Sequence, residues 1–528
     1  PIESIRIGTT IGTNALLERK GASVVLLVTK GFKDNFIIGN QKRNNLFARN
    51  NFRKEQIYKN VIEVKERISS EGEILQPLNK KQLYTKLKKV FDNGINSISI
   101  VLINSFKYPK HELEVKSIAE KIGYKFISCS HIVTPTINYT SRGYTSLVDS
   151  YLNPIISEFV KNISSNLKAR EISFMQSNGF LCKKEDFTGK NSILSGPAGG
   201  VVGGVKLAKL NKVYKIIGFD MGGTSTDIWH YNKEIEKNIE NKISDIYIKI
   251  PSLNIETIAA GGGSILNYHH KRLSVGPNSA GSFPGPACYL NNGPLTLTDC
   301  NLILGRIIPS EFPKCFGKTG KEKISKASSL KKFKKLLNIL KKDFNYFSNI
   351  YQLADSYINI AVENMTNAIK KTSIQKGHDI RDYSLLIFGS ASGQYACKIA
   401  DKLGIKNIIF HRLSGLLSAY GVGTSKKGKL YHLSIEKLFK LESLNNAKVS
   451  ARNLVTKNFK ECSINFFIRL KYKGSNTIIQ IKLEKKGIID CKKEFHYKHR
   501  KLFGFNYKDR KVVLDSIEVE ATEDLKNN

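Results

Sequence analysis

The chain has 528 residues, 41% of them hydrophobic and 24% charged, which is enough for two or three buried cores and too apolar for a disordered tail. Its 84 Lys and Arg against 45 Asp and Glu leave a formal charge of +39, yet the excess is mostly lysine spread from end to end, which reads as a coated surface and argues against a nucleic-acid partner. No long apolar run suited to a membrane span is present, no secretion leader opens the sequence, and eight scattered cysteines lack any Cys-x-x-Cys pair, so a reduced, cytoplasmic setting is expected.

Apolar, β-rich runs recur at Ser23 to Val28, Ile98 to Ile103, Tyr124 to Ser128, Ile172 to Met175, Tyr214 to Phe219, Tyr383 to Phe388 and Ile405 to Phe410. Stretches with helical spacing separate them, and that alternation predicts an α/β fold. Gly and Pro concentrate between Ser195 and Pro294, where loops, and the site, are expected. Lysines between Leu330, Phe333, Leu336, Leu337, Leu340 and Phe344 predict an amphipathic helix with a solvated face. Beyond about Leu430 the pattern becomes two strands, Ser463 to Tyr472 and Thr477 to Leu483, joined by a turn at Lys473 to Asn476, so a smaller β-containing region is expected there.

The richest chemistry lies in the run from Tyr214 to Trp229. A strand leads into Asp220, a Gly222-Gly223 turn with Thr224, Ser225 and Thr226 follows, and a second strand leaves through Asp227. Glycines let backbone N–H groups approach phosphate oxygens, the hydroxyls add further contacts, and two flanking carboxylates suit a magnesium ion. No lysine follows the glycines, so this is not the strand-loop-helix phosphate loop. Three more glycine-rich runs, Ser195 to Gly204, Ala260 to Ser264 (Gly261, Gly262, Gly263) and Phe388 to Gln394 (Gly389, Ser390, Gly393), together suggest nucleotide binding. Elsewhere, His269-His270 reads as an exposed hairpin rather than a metal pair, His111-Glu112 as a capping or surface element, and Cys288 as a thiol near the site or simply buried.

The string Gly218 to Asp227 resembles the second phosphate loop of the actin, heat-shock chaperone and sugar-kinase superfamily, in the form used by the hydantoinase A and 5-oxoprolinase family. The runs Gly8 to Gly21, Ser195 to Gly203, Ser279 to Tyr289 and Leu297 to Arg306 are similar to the same family in the same order. Val28 to Asp34, Ile38 to Gln41, Gly393-Gln394 and His411 to Ala419 look closer to ATP-dependent 5-oxoprolinases than to hydantoinases or acetone carboxylases. The resemblance implies an actin-like, ribonuclease-H-like, two-lobed ATPase with a smaller β-containing C-terminal region. It divides the chain into 1–135, an N-terminal domain, 136–428, the ATPase domain, and 429–528, the start of the C-terminal domain.

Chemistry is implied as well. ATP phosphorylates the lactam carbonyl oxygen of 5-oxo-L-proline, and water opens the activated ring to L-glutamate. Carried onto this sequence, Asp220, Gly222, Gly223, Thr224 and Asp227 are phosphate and Mg2+ ligands, and Phe388 to Gln394 is the adenosine-side loop. Arg142, Thr145, Asp149 and Asn178, in or beside family-like segments, are the substrate-side candidates. A homo-oligomer, or a hetero-assembly with a hydantoinase B-like module for the hydrolytic step, is expected. The chain departs from the pattern by starting after the expected first phosphate loop, and by Ser390 and Ser392 where glycines and Tyr395 where a histidine are usual. Those side chains are expected to crowd a base lying on the loop. A hydantoin-opening or ketone-carboxylating subunit and a non-catalytic remnant are the rival expectations.

Overall fold

Five consecutive apolar residues without polar alternation, Val24 to Val28, are what a parallel strand covered on both faces requires, and all five are fully buried. The computed structural model describes residues 2–39, 55–243, 246–343, 349–374, 378–456, 459, 461–475, 477–484, 486–507 and 509–523. Asn40 and Gln41 of the Ile38 to Gln41 run, Phe344 of the predicted stripe and Asn476 of the predicted turn lie outside the described residues. The chain divides into two compact units, one of residues 1–199, 237–253 and 422–528, the other of residues 200–236 and 254–421.

In the first unit, the strands Asn60–Val64, Val24–Thr29, Ser97–Val101 and Phe126–Cys129 form a four-stranded parallel sheet in that order. Side-chain alternation sorts its two faces. Val24, Leu26, Val28 and Val101 pack with Leu147, Val148 and Leu152 of the helix Tyr139–Asn166. Val25, Leu27, Ile98 and Ile100 pack with the helices Lys80–Asp92 and Lys110–Ile122 through Leu83, Leu87, Val115 and Ala119. A second sheet joins Ile2–Ile7 in parallel to Ala169–Met175, which pairs antiparallel with Leu181–Lys183. The last sheet is antiparallel, in the order Gly428–Leu438, Val512–Thr522, Ser463–Tyr472, Ile479–Lys482, and packs on the helices Leu441–Thr456 and Ile488–Phe503.

The second unit is built on the strand order Glu234–Ile235, Thr226–Asn232, Lys215–Met221, Ser384–Phe388, Asn407–Ile409, with Ile255–Ile258 also paired to Thr226–Asn232. Lys215–Met221 and Thr226–Asn232 form an antiparallel hairpin, and the former runs parallel to Ser384–Phe388. Ile217, Phe219, Met221, Leu385 and Ile387 send one face onto the helix Ile350–Thr372, whose Leu353, Tyr357, Ile358, Ala361, Met365 and Ile369 are almost completely buried. The predicted lysine-rich helix spans Lys326–Asp343, with Phe333, Leu337 and Leu340 buried in the same core.

One expectation is overturned. The glycine-rich run from Ser195 is not a loop but the start of the helix Ser195–Leu210. Its glycines mark close packing. A Cβ on Gly200 would stand 2.8 Å from the Phe388 ring, one on Gly203 2.6 Å from the Leu417 carbonyl oxygen, and one on Gly204 2.5 Å from Trp229. The helical spacing of these three positions puts the helix backbone against the second face of the sheet, a gain in contact that outweighs the poor helix propensity of glycine. Gly218 serves the same approach, since Trp229 lies across the place its Cβ would fill, 1.9 Å away. His111-Glu112 is a further correction. His111 is buried, with Nδ1 2.6 Å from Glu66 Oε2, and Glu112 is fully buried, accepting from Ser130 Oγ at 2.6 Å and the Leu102 N–H at 2.9 Å.

Gly204→Ala is expected to destabilise the protein by about 1–3 kcal/mol despite a helix-propensity gain of about 1 kcal/mol. Gly222→Ala, at a position where an added Cβ meets nothing within 4 Å, is expected to stay within about 0.5 kcal/mol of the parent. Urea unfolding of both variants measures the difference.

Candidate phosphate and cation site

The hairpin register sets the site. Asp220 stands directly opposite Asp227, and Met221 opposite Thr226, so the two carboxylates rise from the same face at the end of the sheet. Between them the chain reverses at Gly222 to Ser225, closed by a hydrogen bond of 3.1 Å from the Gly222 N–H to the Ser225 carbonyl. Gly223 and Thr224 are exposed at the tip. Among the described residues their N–H groups, and the hydroxyls of Thr224 and Ser225, have no hydrogen-bond partner in this unit, as a phosphate-binding tip requires.

Two neighbouring segments fix the tip. The Gly262 and Gly263 N–H groups donate to the carbonyls of Gly222 and Gly223 at 3.1 and 2.7 Å, and the Gly261 N–H donates to Ser264 Oγ at 2.9 Å. All three donors are thereby spent, which corrects the reading of Gly261, Gly262 and Gly263 as phosphate ligands: they buttress the tip. A Cβ on Gly261 would come within 2.5 Å of the Gly223 and Thr224 backbone, so only glycine permits the contact. Thr226 is corrected for a similar reason, being fully buried with its hydroxyl donating to the Ala260 carbonyl at 2.5 Å.

The loop after Ser384–Phe388 closes the other side. Gly389 has φ +86°, and a Cβ there would lie 2.3 Å from Asp220 Oδ1, while the Ala391 N–H donates to the Met221 carbonyl at 2.9 Å. Gly389 therefore seats the carboxylate. Ser390 and Gly393 are exposed, Gly393 beside the ring of Phe410. The expected crowding by Ser392 and Tyr395 does not arise. Ser392 is buried, and Tyr395 is fully buried with its hydroxyl 2.8 Å from Asn301 Nδ2.

Burial, and then the charge of Asp227, push the Asp220 carboxyl up to about 7, with the Ser418 hydroxyl pulling the other way. Burial likewise raises Asp227, relieved in part by Thr257 Oγ1, which donates to its Oδ1 at 2.6 Å. Two crowded carboxylates with raised proton affinity, beside unpartnered N–H groups, fit a divalent cation bridging to phosphate oxygens. Sequence reading missed Thr257, which carries no motif, and Ser418, although the latter lies inside the family-like run His411 to Ala419.

The substrate-side candidates fall in the other unit. Arg142 is buried, donating to Ser130 Oγ, the Thr136 carbonyl and the Leu102 carbonyl at 3.0, 2.9 and 2.7 Å. Thr145 donates to the Ser141 carbonyl and accepts from the Lys249 N–H, both at 2.8 Å. Asp149 accepts from Ser128 Oγ at 2.8 Å and the Lys190 N–H at 2.9 Å. These three are buried and hydrogen-bonded within their own core. Asn178 turns its Oδ1 back onto the Phe180 N–H at 3.0 Å. His269 and His270 are exposed at a hairpin turn, as expected, and Cys288 is fully buried with its thiol pushed well up by burial. No helix among the described residues is long and apolar enough to cross a membrane.

Residues 1–123 match the hydantoinase/oxoprolinase N-terminal region, and residues 142–428 match the hydantoinase/oxoprolinase model. The chain is 39% identical to the 5-oxoprolinase of Dictyostelium discoideum, aligned over 98% of this chain and 45% of that protein. It is 35% identical to the 5-oxoprolinase of Saccharomyces cerevisiae, over 98% of this chain and 44% of that one. The chain thus spans less than half the length of these curated relatives. Among solved structures, the ATP-dependent caprolactamase from Pseudomonas jessenii superposes with a TM-score of 0.83 at 25% identity, covering 98% of this chain and 78% of the other.

A cation held by this pair would compete with the proton on Asp220, so magnesium-nucleotide binding at such a site is expected to weaken as pH falls below about 7, approaching about tenfold per pH unit. Asp227→Asn removes the repelling charge, so its residual pH dependence is expected to shift to lower pH. Isothermal titration between pH 5.5 and 8 reads both, with pH-independent binding as the contrary result.

Proposed function

The chain belongs to the hydantoinase/oxoprolinase family, and from that membership we propose that it supplies the nucleotide-using part of an ATP-dependent 5-oxoprolinase. The observation that carries the reading is the pair Asp220 and Asp227, opposed across a Gly-Gly tip with unpartnered donors, in a chain 35–39% identical to named 5-oxoprolinases. The substrate is a small lactam, 5-oxo-L-proline, and the second substrate is ATP.

The reaction follows from the weakness of an unstrained lactam as an electrophile. Its carbonyl oxygen attacks the γ-phosphorus, the bond to the ADP oxygen breaks, and the ring carbon becomes activated. Water then adds to that carbon, the C–N bond opens as a proton passes to the ring nitrogen, and a second water hydrolyses the resulting acyl phosphate to L-glutamate and phosphate. Positioning and charge neutralisation carry such a transfer. The Gly223 and Thr224 N–H groups and the Thr224 and Ser225 hydroxyls grip phosphate oxygens, while Ser390 and Gly393 border the adenosine side. Asp220 and Asp227 hold Mg2+, which supplies positive charge to the phosphoryl oxygens. An actin-like ATPase fold accounts for two strands meeting at such a tip, with 1–135, 136–428 and 429–528 as its functional divisions. Assembly with a hydantoinase B-like module, or between copies of this chain, provides the hydrolytic step, and a cytoplasmic setting suits the free thiols.

In the complete assembly, Asp220→Ala is expected to lower 5-oxoproline-dependent ADP release by at least about a hundredfold, the scale of losing one electrostatic contact to a transferring group. Retained turnover, or equal stimulation by hydantoin or acetone in the parent, would contradict the proposal.

A further inference from the structure

The strand that carries Asp227 carries a second constellation on its opposite face, three residues on. His230 is buried, and its Nδ1 lies 2.9 Å from Glu236 Oε1. Glu236 follows the short strand Glu234–Ile235, and its Oε2 accepts from Asn254 Nδ2 at 2.6 Å. His378 precedes the strand Ser384–Phe388, with Nε2 4.0 Å from the same Glu236 Oε1. One nitrogen from each histidine and one carboxylate oxygen lie within 4.8 Å of one another. The imidazole rings are tilted 30° to each other with centroids 4.3 Å apart, and Tyr383 packs beside His230 at 4.9 Å.

A hydrogen-bonded His–Glu pair alone does not account for this arrangement. His230 meets Glu236 through Nδ1, and its other ring nitrogen, Nε2, is buried without a hydrogen-bond partner among the described residues, so the site is built on the Nδ1 side. Two histidines and one carboxylate form a donor set for a borderline first-row cation rather than for magnesium. Asn254 holds the carboxylate, and Tyr383 Oη stands 3.5 Å from His378 Nδ1, so both mobile ligands have outer partners that orient them. Access exists too, since the Glu236 and His378 side chains keep 27% and 21% exposure while His230 is closed off.

We propose that His230, Glu236 and His378 bind a divalent cation of the zinc type, which ties the strand Thr226–Asn232 to the segment that enters Ser384–Phe388. Binding sets the three ligand atoms about 3.3 Å from one another, the spacing of a tetrahedral zinc, so the 2.9 Å contact of His230 with Glu236 opens slightly while His378 moves in from 4.0 Å, and the fourth position is left to water. Any proton in the His230–Glu236 contact leaves to solvent as the cation enters, so uptake weakens at low pH. The other His, Cys and carboxylate group, Glu112, Cys129 and His131, offers no such opening. Its carboxylate already accepts from Leu102, Ser130 and His131.

The purified chain is loaded with zinc sulfate, desalted at neutral pH and assayed for bound metal by mass spectrometry, with competition against a chromophoric chelator for affinity. About one zinc per chain is expected in the parent and in His270→Ala and Asp227→Asn, with affinity reduced at least about tenfold in His378→Ala and Glu236→Gln. Zinc is expected to raise the melting temperature of the parent and not that of His378→Ala. Melting in the absence of zinc establishes that both ligand variants are folded, and Glu236→Gln keeps the proposal testable if His378→Ala is not. No zinc uptake by the parent at micromolar free metal, or undiminished uptake by a folded ligand variant, overturns it.

Discussion

Asp220 and Asp227 repel each other across one rung of a hairpin, and the local structure is arranged to hold that repulsion in place. Strand pairing fixes the separation, Gly389 leaves room for the Asp220 carboxylate, and single hydroxyls from Ser418 and Thr257 relieve a fraction of the charge. Ordinary proteins avoid such a juxtaposition because like charges directly opposite on a sheet are destabilising. Such a pair is a candidate for a site whose charge a bound cation would balance, and burial together with the charge of Asp227 raises the Asp220 carboxyl.

Rigidity around the pair comes from glycine. On one side the stripe of Gly200, Gly203 and Gly204 brings a helix backbone onto the sheet, and on the other Gly261 to Gly263 lie against the hairpin tip. Both depend on absent side chains, but they act differently. The helix gains dispersion contact with Phe388 and Trp229, whereas the loop spends its donors on two carbonyls and so turns the tip peptides in a fixed direction. Electrostatic stabilisation that is already oriented needs no rearrangement when charge develops, and under the proposed function this is what the scaffold would contribute.

Much of this was legible in the sequence, and the limits have physical causes. The seven apolar runs all contain strands because β-branched residues in short, bounded stretches leave little alternative. The Asp220 to Asp227 run revealed its hairpin because a Gly-Gly turn between two apolar strands fixes the register. Glycine misled elsewhere, for the residue that opens a loop is also the residue that lets a helix pack, and only the partner across the contact, Trp229 or Phe388, distinguishes the two. The burial of Arg142 and Asp149 was not legible either, because a polar residue that supports a core and one that faces solvent look alike until their partners are visible. Thr257 and the His230, Glu236 and His378 group could not be read at all, since the segments that converge there lie far apart in sequence.

The C-terminal sheet has a consequence for the order of events during synthesis. Its central strand, Val512–Thr522, is the last of the four to be made, and it separates Gly428–Leu438 from Ser463–Tyr472, which do not pair with each other. Until that strand leaves the ribosome Gly428–Leu438 has no partner strand and Ser463–Tyr472, paired only with Ile479–Lys482, keeps one edge open, so Ile468, Leu470 and Phe466 have no completed sheet to close over them. A nascent chain halted before Val512 therefore leaves an open strand edge that the finished chain covers.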